Sequence, residues 1–246
     1  MNRIKWQIVL GVLLVGISVI LYDVQINIFH STRDTFFYLF QDLAFIPIQV
    51  LLVTLILNQL LNVREKLSML NKLNMVIGTF FSEVGTTLLR SFAAFDQNTE
   101  RIRGELLVKG EWSDQQFAAV ARRVRSYAYQ IHYSESDLEA LKTFLMGKRK
   151  FLLGLLENPN LLEHETFTEL LWAVFHLSEE LAVREDLQHL LPSDGDHIAG
   201  DIGRAYAILI VEWLAYMKHL KQDYPYLFSF AVRMNPFDPN ASANIQ

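Results

Sequence analysis

The stretch Leu43 to Leu61, LAFIPIQVLLVTLILNQLL, decides the fold class of this chain. It runs about 19 residues without a charge, the length at which an α-helix crosses a bilayer core of about 30 Å. Only Gln49, Thr54, Asn58 and Gln59 interrupt its apolar character. Pro47 falls in its expected first turn, where a missing N–H does no harm.

Working outward towards the N-terminus, Trp6 to Tyr22 reads WQIVLGVLLVGISVILY, a second uncharged run of about 17 residues. Arg3 and Lys5 precede it as they would in a signal peptide. However, the residues from Ser18 to Val24 offer no small-x-small cleavage site, so the run reads as an uncleaved helix. The two spans, about 6–22 and 43–61, predict a transmembrane hairpin over residues 1–62 with a short loop at 23–42. That loop carries the aromatic run Phe36–Phe40, suited to the headgroup level, and a single basic residue, Arg33. Arg3 and Lys5 on one side, and Arg64, Lys66 and Lys72 on the other, place both termini in the cytoplasm of a two-pass inner-membrane protein by the positive-inside rule. Thr54, Asn58 and Asn62 share one helical stripe. It reads as interfacial or helix–helix hydrogen bonding, with a pore lining as the rival expectation.

Beyond the second span, Leu60, Val63, Leu67, Leu70, Asn74, Ile77, Phe81, Val84 and Leu88 follow a 3-4 spacing over about four heptads. This predicts a connector helix over 63–95 that serves as a self-association seam, with Asn74 fixing register at an a-type position. The competing reading buries the same stripe within the chain's own domain, and the bulk of Phe92 and Phe95 favours that one.

Residues 96–236 contain no strand-like alternation, and a polar tail follows at 237–246. Capping-box patterns at Ser113–Gln116, Ser136–Glu139 and Thr166–Glu169 predict helices over 114–131, 137–156 and 167–183. A breaker at Leu191–Gly195 precedes a long helix over 197–221, and Tyr224-Pro-Tyr ends it. The fold class is therefore all-α, a helical bundle on a membrane anchor. Charge is segregated: residues 97–150 hold the basic clusters Arg122–Arg125 and Lys148–Lys150, whereas 157–201 are strongly acidic with Arg184 as their one Lys or Arg. The plain reading is solvated helix faces, and the sharper one turns the basic half towards anionic lipid headgroups. The net charge of −5 and the lack of an aromatic-interleaved platform argue against nucleic acid.

The chain has no cysteine, which excludes disulfides, thiolate metal sites and cysteine nucleophiles. No phosphate loop, dinucleotide fingerprint, G-x-S-x-G or H-E-x-x-H is present, so no cofactor is implied. What remains is a polar stripe on the long C-terminal helix: His197, Asp201, Arg204, Glu212 and His219. The rest of that helix is apolar, which places it centrally and makes the stripe a network of paired charges. His197 and Asp201 lie one turn apart and could share an ion. Glu212 and His219 are about 10.5 Å apart along the axis and could not. A metal site would need a second helix, where Glu169, His176, Glu179 and Glu180 are available.

Separately, Arg184-Glu-Asp-Leu-Gln-His189 resembles the Arg-x4–6-His signature of the HEPN family of ribonucleases. In that family paired helical protomers cleave RNA with the Arg and His, and the resemblance implies that role for Arg184 and His189. It covers only this short segment. Taken together, the residues predict a non-enzymatic, oligomeric membrane protein. Its cytoplasmic helical domain would bind a protein partner or sense a signal, with a channel and a membrane-tethered hydrolase as rivals.

Overall fold

The structure is a computed structural model. It describes residues 3–159, 161 and 164–244, with side chains for all of these except 3–11, 29 and 66–72. The described residues are helical apart from turns and one isolated bridge, and they form two compact units, Met1–Lys66 and Leu67–Gln246.

In the first unit, α1 (Arg3–Phe29) is followed after two residues by the start of α2 (Thr32–Phe80). The expected loop at 23–42 is thus helical except at His30 and Ser31. The segment contains neither Gly nor Pro to break a helix. The break falls at His30, the one described non-glycine residue with positive φ, 50°. Ser31 restarts the helix: its carbonyl accepts from the Thr35 amide at 3.3 Å and from the Thr35 hydroxyl at 3.0 Å. Pro47 accordingly lies deep inside α2 and not in a first turn.

The second unit comprises the end of α2, a π-helical turn at Phe81–Gly85, and α3 (Thr86–Phe95), α4 (Thr99–Leu106), α5 (Asp114–Arg125), α6 (Glu135–Leu156), α7 (Glu165–Ala182), α8 (Pro192–Asp223) and α9 (Pro225–Arg233). Helix α8 is the centre, packed by α3, α5, α7 and α9, and α6 covers the far side of α7. Tyr206, Leu209, Ile210, Leu214 and Met217 of α8 are all but inaccessible. The π turn needs Gly85, where a Cβ would stand 2.6 Å from the Phe81 ring and 2.9 Å from that of Phe80.

This packing resolves the heptad stripe. Leu73, Ile77, Phe81, Val84 and Leu88 are buried in the core of their own unit. Asn74 hydrogen-bonds the His219 imidazole at 3.2 Å. The connector from Leu73 onward therefore belongs to the domain and is not a self-association seam. Leu60 and Val63 are exposed, and the side chains of Leu67 and Leu70 lie outside the described residues. A 3-4 stripe reports only that a helix buries one face, and Phe80 and Phe81 find their partners in Phe167 and Tyr216.

Local boundaries shift for identifiable reasons. The capping box at Ser113 and Gln116 forms as expected. The next helix starts instead at Ser134, whose hydroxyl accepts from the Asp137 amide, because Asp at the third position closes a box as Glu does. His164, not Thr166, caps α7 through Nδ1. Pro192 opens α8 at its first position instead of holding it off. The helix expected over 114–131 ends at Arg125, since Asp96 captures the chain that follows. This buried carboxylate accepts from the Gln130 amide at 3.0 Å, the Tyr127 hydroxyl at 3.1 Å and the Asn98 amide at 3.1 Å. Burial, and then the adjacent Asp96 charge, push the Tyr127 phenol upward, so it remains a donor. Asp96 and Ile131 form the isolated antiparallel bridge.

Three substitutions test this account by thermal or denaturant unfolding of the full chain in detergent. Ser134→Ala is expected to cost about 1 kcal/mol and Ser136→Ala close to nothing, the reverse ranking being incompatible with the observed cap. Asp96→Ala is expected to cost ~3 kcal/mol, because three donors lose their hydrogen bonds to a buried charged acceptor.

Candidate functional site

Helices α7 and α8 place four metal-competent side chains together. On α7, the buried face formed by Leu170, Leu171, Val174, Leu177 and Leu181 leaves His176 and Glu180 one turn apart at its edge. On α8, burial of Ile198, Ile202 and Ala205 does the same for His197, and it draws Asp201 inward to 2 % exposure. Asp201 is the hub. Its Oδ1 accepts from Arg204 at 3.0 Å. Its Oδ2 lies 3.3 Å from His176 Nε2 and 3.4 Å from His197 Nε2. The two imidazole rings stand at 88° with centroids 6.5 Å apart.

Glu180 closes the fourth side, with Oε1 3.9 Å from His176 Nε2 and Oε2 4.0 Å from His197 Nε2. Its Oε2 is held by Arg184 at 2.5 Å, and the same guanidinium nitrogen reaches the Glu180 carbonyl. Lys142 in turn donates to the Arg184 carbonyl at 2.6 Å, tying α6 to the end of α7. The Arg184 hydrogen bond holds the Glu180 carboxyl below the ordinary carboxylate range. Ligand atoms from His176, Glu180 and His197 all lie within 4.8 Å of one another.

The sequence-derived residues thus separate. His176, His197 and Asp201 come together, joined by Glu180 and flanked by Arg204. The other members of the stripe go elsewhere. Glu212 is buried beside a cavity of about 150 Å³ that it lines with Arg125, Thr166 and Glu169. His219 pairs with Asn74 and with Asp223 at 2.8 Å. The stripe is therefore not one network, since three consecutive packing environments divide it. Arg184 and His189 are engaged separately: His189 is exposed and bound to Asp186 at 2.8 Å, whose carboxylate pushes its pKa upward. Thr54, Asn58 and Asn62 are exposed on the first unit. Composition alone could not show the clamp of Arg184 on Glu180, although the one-turn pairs His176/Glu180 and His197/Asp201 carried the signal.

Residues 69–233 match the family described as the C-terminal helical domain of uncharacterized protein MJ1433, and residues 2–61 match its N-terminal helical domain. A curated relative, the uncharacterized protein MJ1433 of Methanocaldococcus jannaschii, is 44% identical over 238 residues, which cover 97% of this chain and 96% of the relative. The chain belongs to this family. No solved structure matches it. The two matches meet between residues 61 and 69, where the two compact units also divide.

The Glu180–Arg184 contact carries a pH signature. Because the folded-state value of Glu180 is depressed below its ordinary 4.5, its contribution is present above that pH and lost as pH falls through the depressed value. Arg184→Gln should therefore lower the thermal midpoint at neutral pH, with variant and wild type converging on acidification. A difference that stays constant across the acid titration would contradict the assignment.

Proposed function

We propose that this member of the MJ1433 family is a two-pass membrane protein that holds a helical partner-binding or sensing domain at the cytoplasmic face. The observation that carries the reading is the exposure of the first unit. Val12, Ile20, Leu43, Leu51 and Leu60 are each more than half exposed. No residue of the most apolar window of the 34-residue stretch Thr32–Glu65 is buried. Monomeric soluble proteins rarely expose apolar patches beyond a few hundred Å², whereas a hydrocarbon solvent accepts such a surface directly.

By length and composition one helix, Thr32–Glu65, is long and apolar enough to cross a membrane, and the apolar run of α1 before it supports a partner span. Val12–Ile28 is the shorter apolar helix, and at 1.5 Å per residue it extends about 25 Å. Thr32–Glu65 would extend about 51 Å, more than a core of about 30 Å needs. The span proper is then 43–61, with Phe36–Phe40 at the outer headgroup level and Arg64 at the inner one. The turn at His30–Ser31 faces outward. Family membership supports the division into two helical parts, and the domain's function rests on its own side chains.

The absence of cysteine makes a direct test simple, since any introduced thiol is the chain's only one. With a membrane-impermeant maleimide on intact cells, Ser31→Cys is expected to label. Gly110→Cys, at an open surface position, should label only after permeabilisation. Labelling of Gly110→Cys in intact cells, or release of the wild-type chain from membranes by alkaline carbonate, would overturn the topology.

A further inference from the structure

We infer that His176, His197, Asp201 and Glu180 form a binding site for one divalent transition-metal ion of the zinc class. The first argument is geometric. In a tetrahedral site with bonds of about 2.0–2.1 Å, neighbouring ligand atoms are about 3.3 Å apart. The two separations from Asp201 Oδ2 to the imidazole Nε2 atoms, 3.3 and 3.4 Å, match that edge. Glu180 stands outside that edge, with Oε1 at 3.9 Å from His176 and Oε2 at 4.0 Å from His197, so Asp201 and the two imidazoles form the tight face and Glu180 supplies the fourth ligand by turning its carboxylate inward.

The second argument is independent of that spacing. Asp201 Oδ2 is buried and has no hydrogen-bond partner. Both imidazole nitrogens are near enough to donate to it, yet neither is aligned to do so. A carboxylate oxygen buried without a donor is costly, and such atoms are few in folded proteins. A cation bound jointly by this oxygen and the two nitrogens removes the cost. Arg204 takes Oδ1 and so turns Oδ2 towards the imidazoles, the part that outer partners play for ligating carboxylates. Arg184 orients Glu180 in the same way.

The donor set selects the class. Two imidazoles with carboxylates suit zinc and its neighbours, whereas magnesium and calcium prefer all-oxygen shells. His176 and His197 are about half exposed, so an ion enters from solvent without opening the core. Bound there, it joins α7 to the first turns of α8, and the domain acquires a metal-dependent stability. This inference does not depend on the membrane reading, and each can fail while the other stands.

The test uses the full chain in detergent, stripped with a chelator and titrated with Co²⁺, then with Zn²⁺ in competition. One equivalent of Co²⁺ should bind with the intense visible absorption of a tetrahedral centre, and Zn²⁺ should displace it. At a hundredfold excess over its Kd, Zn²⁺ should raise the thermal midpoint by about 5–10 °C. His176→Ala and His197→Ala should each weaken binding on the order of 100-fold, and Arg204→Gln by about 10-fold. Both histidines lie at the surface, and retained far-UV circular dichroism establishes that the variants fold. Binding that survives the His176→Ala/His197→Ala double variant overturns the inference. So does a chain that neither binds Co²⁺ tetrahedrally nor gains stability from Zn²⁺, and the four residues are then an ion-pair cluster only.

Discussion

Burial of α8 on nearly every side is the constraint on which the domain depends. A helix apolar around most of its girth has no stable place at a protein surface, so other helices must enclose it. Helices α3, α5, α7 and α9 supply that enclosure, with Phe92 against Tyr206, and Phe237 from the C-terminal turn against Trp213. The end of α2 enters the same core through Phe80 and Ile77. Each remaining feature of the domain follows from how its polar groups accommodate that enclosure.

Two buried aspartates show the accommodation in opposite forms. Asp96 is supplied with donors from Gln130, Tyr127 and Asn98, and it converts what would be helix into an extended segment. Asp201 receives one arginine on Oδ1 and presents the other oxygen, without a hydrogen bond, to two imidazoles. A buried carboxylate must be compensated. The first is compensated by the fold itself, and the second leaves room for an added charge.

The two units obey different solvent rules. In Leu67–Gln246 the large apolar side chains gather in a core, while in the first unit they face outward along both helices. Polar residues follow suit: the domain places Ser113 and Ser134 at helix starts, whereas the first unit keeps its charged groups near the ends of its apolar runs. The family is likewise divided into two helical domains, whose matches meet near the same point in the chain.

What the amino-acid sequence by itself determined is what short-range physics controls. The uncharged runs, the helical class, the cap at Ser113 and the centrality of the helix containing Tyr206 and Trp213 are all legible from neighbours within a few turns. The one-turn pairing of His197 with Asp201 is equally local. Tertiary structure alone decided which helix faces which. It buried Ile77 and Phe81 within their own domain, because a heptad stripe records a buried face and not the identity of its partner. It ended the fifth helix at Arg125, because Asp96 lies about thirty residues away in sequence and no local signal announces it. It also brought His176 and Glu180 to Asp201, since the register of two packed helices is set by the whole core between them.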